Sequence, residues 1–223
     1  MPEEMRWLGE YLAGQGHTVL GVRLAGHATH PRDLARTQWT DWLISVEEGL
    51  AILRGVTERV FVVGLSMGGA LALLSAARYP FAGVVAMSTP AQAFSSGPRW
   101  ALRLYARLRP MLHKGVLEAD GPLAGRREAE YPAYPQFPAG IILAVTDLIQ
   151  AMRVALPAVQ VPVLLIYSRA DEAVLAESMQ LLYDSLGTQD KEMLAFDDID
   201  HALVRDKERN MVFQAVARFI EKY

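Results

Sequence analysis

The 223-residue chain contains no cysteine. Disulfides, thiolate catalysis and cysteine-ligated zinc are therefore excluded, and a reducing compartment suits the sequence. A basic surplus is missing too: 22 Lys and Arg stand against 25 Asp and Glu, for a net charge of −3 and a pI near 6.0. That balance predicts no nucleic-acid partner and no anionic-membrane footprint. No apolar run approaches eighteen uninterrupted residues, so no transmembrane segment is expected. The opening MPEEMRWLGEYLAG begins with two glutamates and a helical pattern, which is not a signal peptide. These absences together set the expectation of a cytoplasmic protein.

What remains is an ordinary globular balance, 52% hydrophobic and 21% charged. A chain of this size suits one α/β domain that buries roughly 70–75% of its unfolded surface. Along it, hydrophobic runs alternate with helical periodicity. Met5, Leu8, Tyr11 and Leu12 repeat at helical spacing after Pro2, Glu3 and Glu4. TVLGVRL (18–24) reads as a short strand, and a helix follows over about 40–53 with Thr40 as its N-cap. RVFVVGL (59–65), GVVAMST (83–89), VPVLLIYS (161–168) and EMLAF (192–196) read as strands buried on both faces. Helices are expected over 67–78, about 174–186, and from about Asp206 to the end. Continuous hydrophobic strands alternating with helices predict a parallel sheet flanked by helices.

One stretch, residues 90–158, is too long for a plain connection. It holds a basic amphipathic helix near PRWALRLYARLRPML, a stiff turn YPAYPQFP, and a further helix GIILAVTDLIQAM. The plain reading of the first helix is a solvated arginine face over an apolar stripe. The sharper reading makes the whole insertion a small cap over a pocket.

Chemistry concentrates at GLSMGG, residues 64–69. G-x-S-x-G alone is weak, arising by chance in roughly one chain of this length in fifteen. Here it lies where a strand gives way to a helix. A serine on such a turn is strained so that its hydroxyl stands clear of the sheet, with free helix N–H groups behind it. Small neighbours at Gly64 and Gly68 are expected to permit the turn. Ser66 as nucleophile then needs a base and an orienting acid, in the chain order Ser, Asp or Glu, His, beyond later strand ends. RADEAV offers Asp171 or Glu172, with Asp171 favoured for its position and shorter reach. DDIDHALV offers His201 as base, since no other histidine follows a late strand. No ligand cluster suggests a metal or cofactor.

GLSMGG, SRADEAVL and DIDHAL together resemble the carboxylesterase and monoacylglycerol lipase-like branch of the α/β-hydrolases. LAGHATHPRDL followed by TQWTDW resembles that branch as well, where a Gly-His-Gly turn leads into a Trp-Asp helix; the second glycine is Ala28 here. The resemblance spans essentially the whole chain. It implies an α/β-hydrolase-like parallel sheet, Ser66 as nucleophile, Asp171 as acid, His201 as base, and residues 90–158 as the cap. Such enzymes begin with further strands and a His-Gly loop carrying an oxyanion donor, none of which this sequence contains, so an N-terminally truncated form is expected. The remaining backbone donor is the N–H of Met67, and Arg23 is a side-chain candidate for the second. Direct pairing of 18–24 with 59–65 and a homodimer are the expected ways to cover the exposed edge.

The reading is a serine carboxylester hydrolase acting on short- to medium-chain acyl esters through an acyl-enzyme. Acyltransferase or thioesterase chemistry on the same fold, and a non-catalytic binding protein, are the alternatives.

Overall fold

The computed structural model describes residues 2–92, 98–113 and 134–223. A 3₁₀ turn, Pro2–Met5, leads into α1 (Arg6–Gly14). After an extended segment come α2 (Pro31–Leu34), α3 (Trp39–Arg54), β1 (Phe61–Leu65), α4 (Met67–Ala76) and β2 (Gly83–Met87). Then follow α5 (Arg99–Leu108), β3 (Met111–His113), β4 (Gln136–Pro138) and α6 (Ile141–Ala155). The chain closes with β5 (Val163–Ser168), α7 (Ala176–Ser185), β6 (Lys191–Phe196) and α8 (Arg209–Lys222).

The main sheet is parallel, in the order β1-β2-β5-β6. Alternation along β2 explains its two buried faces. Val84 and Ala86 join a core with α3, α4, α6 and α7, whereas Val85 and Met87 join a second core with α1 and α8. Such a three-layer packing demands unbroken apolar strands, and β2 is buried at all five positions. The expected parallel sheet flanked by helices is therefore present.

Two local expectations change. The α3 N-cap is Gln38 and not Thr40: the Gln38 N–H donates to Asp41 Oδ2 at 2.7 Å, which holds the first turn closed. The last helix starts at Arg209, three residues late, because Asp206 instead takes the Glu208 N–H on Oδ1 and forms a turn.

The larger correction concerns 18–24. This segment forms no strand and does not pair with β1. A groove of about 750 Å³ separates the two, lined by α1, residues 16–21 and β1. It continues inward as a smaller cavity of about 190 Å³ beside Gly64, Leu65 and Gly68. The cause lies in what the segment rests on. Val22 lies so close over Gly49 of α3 that a Cβ there would be 2.7 Å from its Cγ2, and Val19 leans on Gly9 of α1. Seated on those glycines, the backbone stays out of reach of the β1 edge.

Between β2 and β5 the chain departs from strand–helix alternation. β3 and β4 form a separate antiparallel pair, and α6 packs against α4 and α3. The stretch Ile141–Ala158 is apolar and long enough to cross a membrane by length and composition. Its Val145, Leu148, Ile149 and Met152 are instead buried in the core. Residues 131–133 of YPAYPQFP lie outside the described residues, and 136–138 form β4.

Candidate active site

Three strand ends build the site. At the end of β1, Ser66 takes φ 55° and ψ −119°, a left-handed conformation costly for any residue with a Cβ. The turn is held on both sides. The Ser66 N–H donates to Met87 O of β2 at 2.7 Å, and the Ser66 carbonyl accepts from Gly69 N–H at 2.9 Å. The glycines that allow it are Gly64 and Gly69. A Cβ on Gly64 would lie 2.0 Å from Gly68 O, and one on Gly69 would lie 1.9 Å from Thr89 Oγ1. Gly68 faces open space, so the crowding expected there belongs to Gly69. Met67 is the first residue of α4, and its N–H therefore has no intrahelical acceptor.

At the end of β5, Asp171 is buried with its side chain fully enclosed. Its Oδ1 accepts N–H bonds from Ala173 and Val174, each at 2.9 Å. Its Oδ2 accepts from His201 Nδ1, which sits in the loop after β6, at 2.8 Å. Of the two adjacent carboxylates, Asp171 makes the His201 contact and Glu172 is exposed. Burial works against ionisation of Asp171. The hydrogen bond and charge of His201, with the Val174 N–H, outweigh it and hold the carboxyl below its usual range. Of the acids that precede His201, Asp197 pairs with Arg169, and Asp200 Oδ1 accepts the His201 N–H.

Because a carboxylate only accepts, Nδ1 donates to Asp171, and the neutral form of the His201 ring then carries its lone pair on Nε2, the tautomer a general base requires. No hydrogen bond joins Ser66 to His201 among the described residues. Such contacts commonly tighten only when substrate is bound.

Ser88, at the end of β2 between these two strand ends, did not emerge from the sequence. It holds φ 41°, is fully buried, and its Oγ has no hydrogen-bond partner. The hydroxyl nevertheless lies near enough to Asp171 to favour the ionised carboxylate. Checking every strand end for polar residues, and not only those after a catalytic motif, would have found it. Tyr134 was missed as well; its hydroxyl accepts the Thr29 N–H at 2.7 Å and donates to Gly26 O at 3.0 Å. That contact ties the approach to β4 onto the loop holding His27 and Ala28, where Ala28 carries φ 54° in place of a strain-free glycine. Arg23 is exposed and donates to His27 O at 3.2 Å. Among the described residues, no group of three or more His, Cys, Asp or Glu side chains is placed to hold a metal.

A parallel sheet with both faces covered, a serine on a strained strand-to-helix turn and a buried Asp–His pair define the α/β-hydrolase class. Within that class the chain belongs to the family described as serine aminopeptidase, S33, whose model matches residues 4–208. It is similar to a carboxylesterase of Bacillus subtilis (strain 168), 27% identical over 98% of this chain and 87% of that protein. A thermostable monoacylglycerol lipase of Bacillus sp. (strain H-257) is 29% identical over 100% of this chain and 86% of that protein. Among solved structures, one from the study of the metagenome-derived lipolytic enzymes LipS and LipT superposes with a TM-score of 0.86. It is 29% identical and covers 100% of this chain and 89% of that one.

Proposed function

We propose that the protein is a serine carboxylester hydrolase in which Ser66 is the nucleophile, His201 the general base and Asp171 the orienting acid. The observation that carries this is the 2.8 Å bond from His201 Nδ1 to a fully buried Asp171, at the sheet edge where Ser66 is held at φ 55°. His201 Nε2 takes the hydroxyl proton as Ser66 Oγ attacks the ester carbonyl. The carbonyl π electrons move to oxygen, and the Met67 N–H meets that developing charge. Collapse expels the alcohol, which takes the proton back from His201. Water then repeats the sequence on the acyl-enzyme, releasing the acid and restoring Ser66. The second donor to the oxyanion has Arg23 as its side-chain candidate. Ester chemistry agrees with the carboxylesterase and the monoacylglycerol lipase among the relatives.

A fluorophosphonate probe tests the assignment directly: it labels Ser66 and fails on Ser66→Ala. Labelling elsewhere, or none on folded protein, contradicts it.

In this reading the insertion between β2 and β5 is the cap over the acyl site, with Tyr134 and Phe137 helping to wall a modest pocket. Activity on a nitrophenyl ester series is accordingly expected to peak at short or medium chains and to fall beyond about twelve carbons. A rate that keeps rising past that length rules out the modest pocket.

A further inference from the structure

The helix α5 does not bury the apolar stripe that its sequence carries. The helix contacts α6, and its half-buried positions are Ala101, Leu102 and Ala106. Trp100, Leu104 and Leu108, at successive i+4 positions, are 69%, 50% and 72% exposed, and Tyr105 beside them is 45% exposed. Arg99, Arg103 and Arg107 form the neighbouring row, and Arg109 follows. No Asp or Glu occurs between residues 98 and 113. Arg99 is anchored to Asp147 of α6, with Nη2 to Oδ2 at 2.9 Å. Arg103, Arg107 and Arg109 have no ion pair among the described residues.

A surface helix with its arginines solvated and its apolar residues sheltered needs no partner. This one is turned the other way: tryptophan and leucines face outward and the arginines flank them. That arrangement matches an interfacial helix, whose apolar side chains enter the headgroup–acyl boundary while arginines pair with phosphates at the same depth. We infer that α5 docks the protein on an anionic lipid bilayer. Charge complementarity selects the surface, because the chain as a whole is acidic and only this segment gathers four arginines without an acid. Docking stands apart from the catalytic reading: it needs neither Ser66 nor His201, and it brings the insertion against the phase where long-chain esters reside.

The experiment measures binding with Ser66→Ala protein, so that turnover plays no part. Co-sedimentation is run with phosphatidylglycerol-containing vesicles and with pure phosphatidylcholine vesicles, at low and high salt. Binding is expected to the anionic vesicles and to weaken with salt. Arg103→Gln/Arg107→Gln is expected to lower the partition coefficient by at least about tenfold, since each arginine near an anionic surface contributes roughly fivefold. Trp100→Ser/Leu104→Ser is expected to abolish binding; introduced into protein that retains Ser66, the same pair is expected to leave the melting temperature and turnover of a water-soluble nitrophenyl ester unchanged. Equal binding to both vesicle types, or no binding, overturns the inference. A wild-type dimer that Trp100→Ser/Leu104→Ser converts to monomer, without vesicle binding, assigns the stripe to a second copy and overturns it too. Absence of soluble-ester turnover in folded protein that retains Ser66, with vesicle binding intact, counts against the catalytic reading alone.

Discussion

Ser66→Ala is expected to lower kcat for ester hydrolysis by about 10⁵–10⁶-fold, because members of a triad act as a unit. Folding should survive. The methyl group fits wherever the hydroxymethyl group does, and the half-exposed Ser66 side chain makes no hydrogen bond that the turn depends on. The turn itself is held by backbone, through Ser66 N–H to Met87 O and Gly69 N–H to Ser66 O. Cooperative thermal unfolding beside single-turnover kinetics separates the two effects. A Ser66→Ala protein retaining a tenth of wild-type kcat would eliminate this nucleophile. Adding His201→Ala to Ser66→Ala should cost almost nothing more, as expected when the first change already disables the pair.

The second large effect belongs to Asp171→Asn. Asp171 Oδ1 faces two backbone N–H groups, those of Ala173 and Val174. An asparagine must therefore place its carbonyl oxygen there and turn its NH₂ toward His201. An NH₂ only donates, so His201 Nδ1 must become the acceptor and the ring proton moves to Nε2. The imidazole is then in the wrong tautomer to accept the serine proton. A comparable change in another serine hydrolase lowers kcat by about 10⁴-fold, and a fall of that order is expected here. The same substitution alters acid stability. The depressed carboxyl of Asp171 contributes stability above the unfolded-state pKa, about 3.9 for aspartate, and that contribution is lost as pH falls through the lower folded-state value. Wild type should thus lose melting temperature on acidification more steeply than Asp171→Asn. Parallel acid-melting curves, or kcat within tenfold of wild type, would show that Asp171 carries no functional charge.

Much of this was readable because the relevant signals are local. The strand preceding Ser66, and the loops bearing Asp171 and His201, are each marked by an apolar run that ends in polar residues. A parallel sheet gathers all such ends at one edge. That is how residues 30 positions apart come to share one hydrogen bond. Two other features escaped for reasons of packing. Val19, Leu20 and Val22 have strand-like composition, but Gly9 and Gly49 offer them a closer seat than the β1 edge does. Periodicity in one segment cannot report glycines in another. The apolar row of α5 was correctly located in sequence, yet which side of an amphipathic helix meets its neighbour depends on what that neighbour offers. The net charge of −3 is an average over the chain and does not register the four arginines gathered at one helix.

The groove beside β1 also governs how the sheet comes apart. The Ala82 N–H donates to Val60 O, so parallel alternation directs the main-chain groups of Val60, Val62 and Gly64 toward β2. Those of Phe61, Val63 and Leu65 point the other way, toward the groove at Phe61 and Val63 and the smaller cavity at Leu65, where no ladder receives them. Deuterium should therefore enter at the amides of residues 61, 63 and 65 well before those of 62 and 64, a two-residue rhythm along a single strand. Amide exchange followed residue by residue reads that rhythm directly, and uniform protection along β1 would contradict it. The hydrophobic cores stay closed throughout such exchange. The sheet thus has one rim, at β1, open to the groove, and another, at β6, where Lys222 of α8 pairs with Glu192. Under denaturant its strands should be released from the β1 side first.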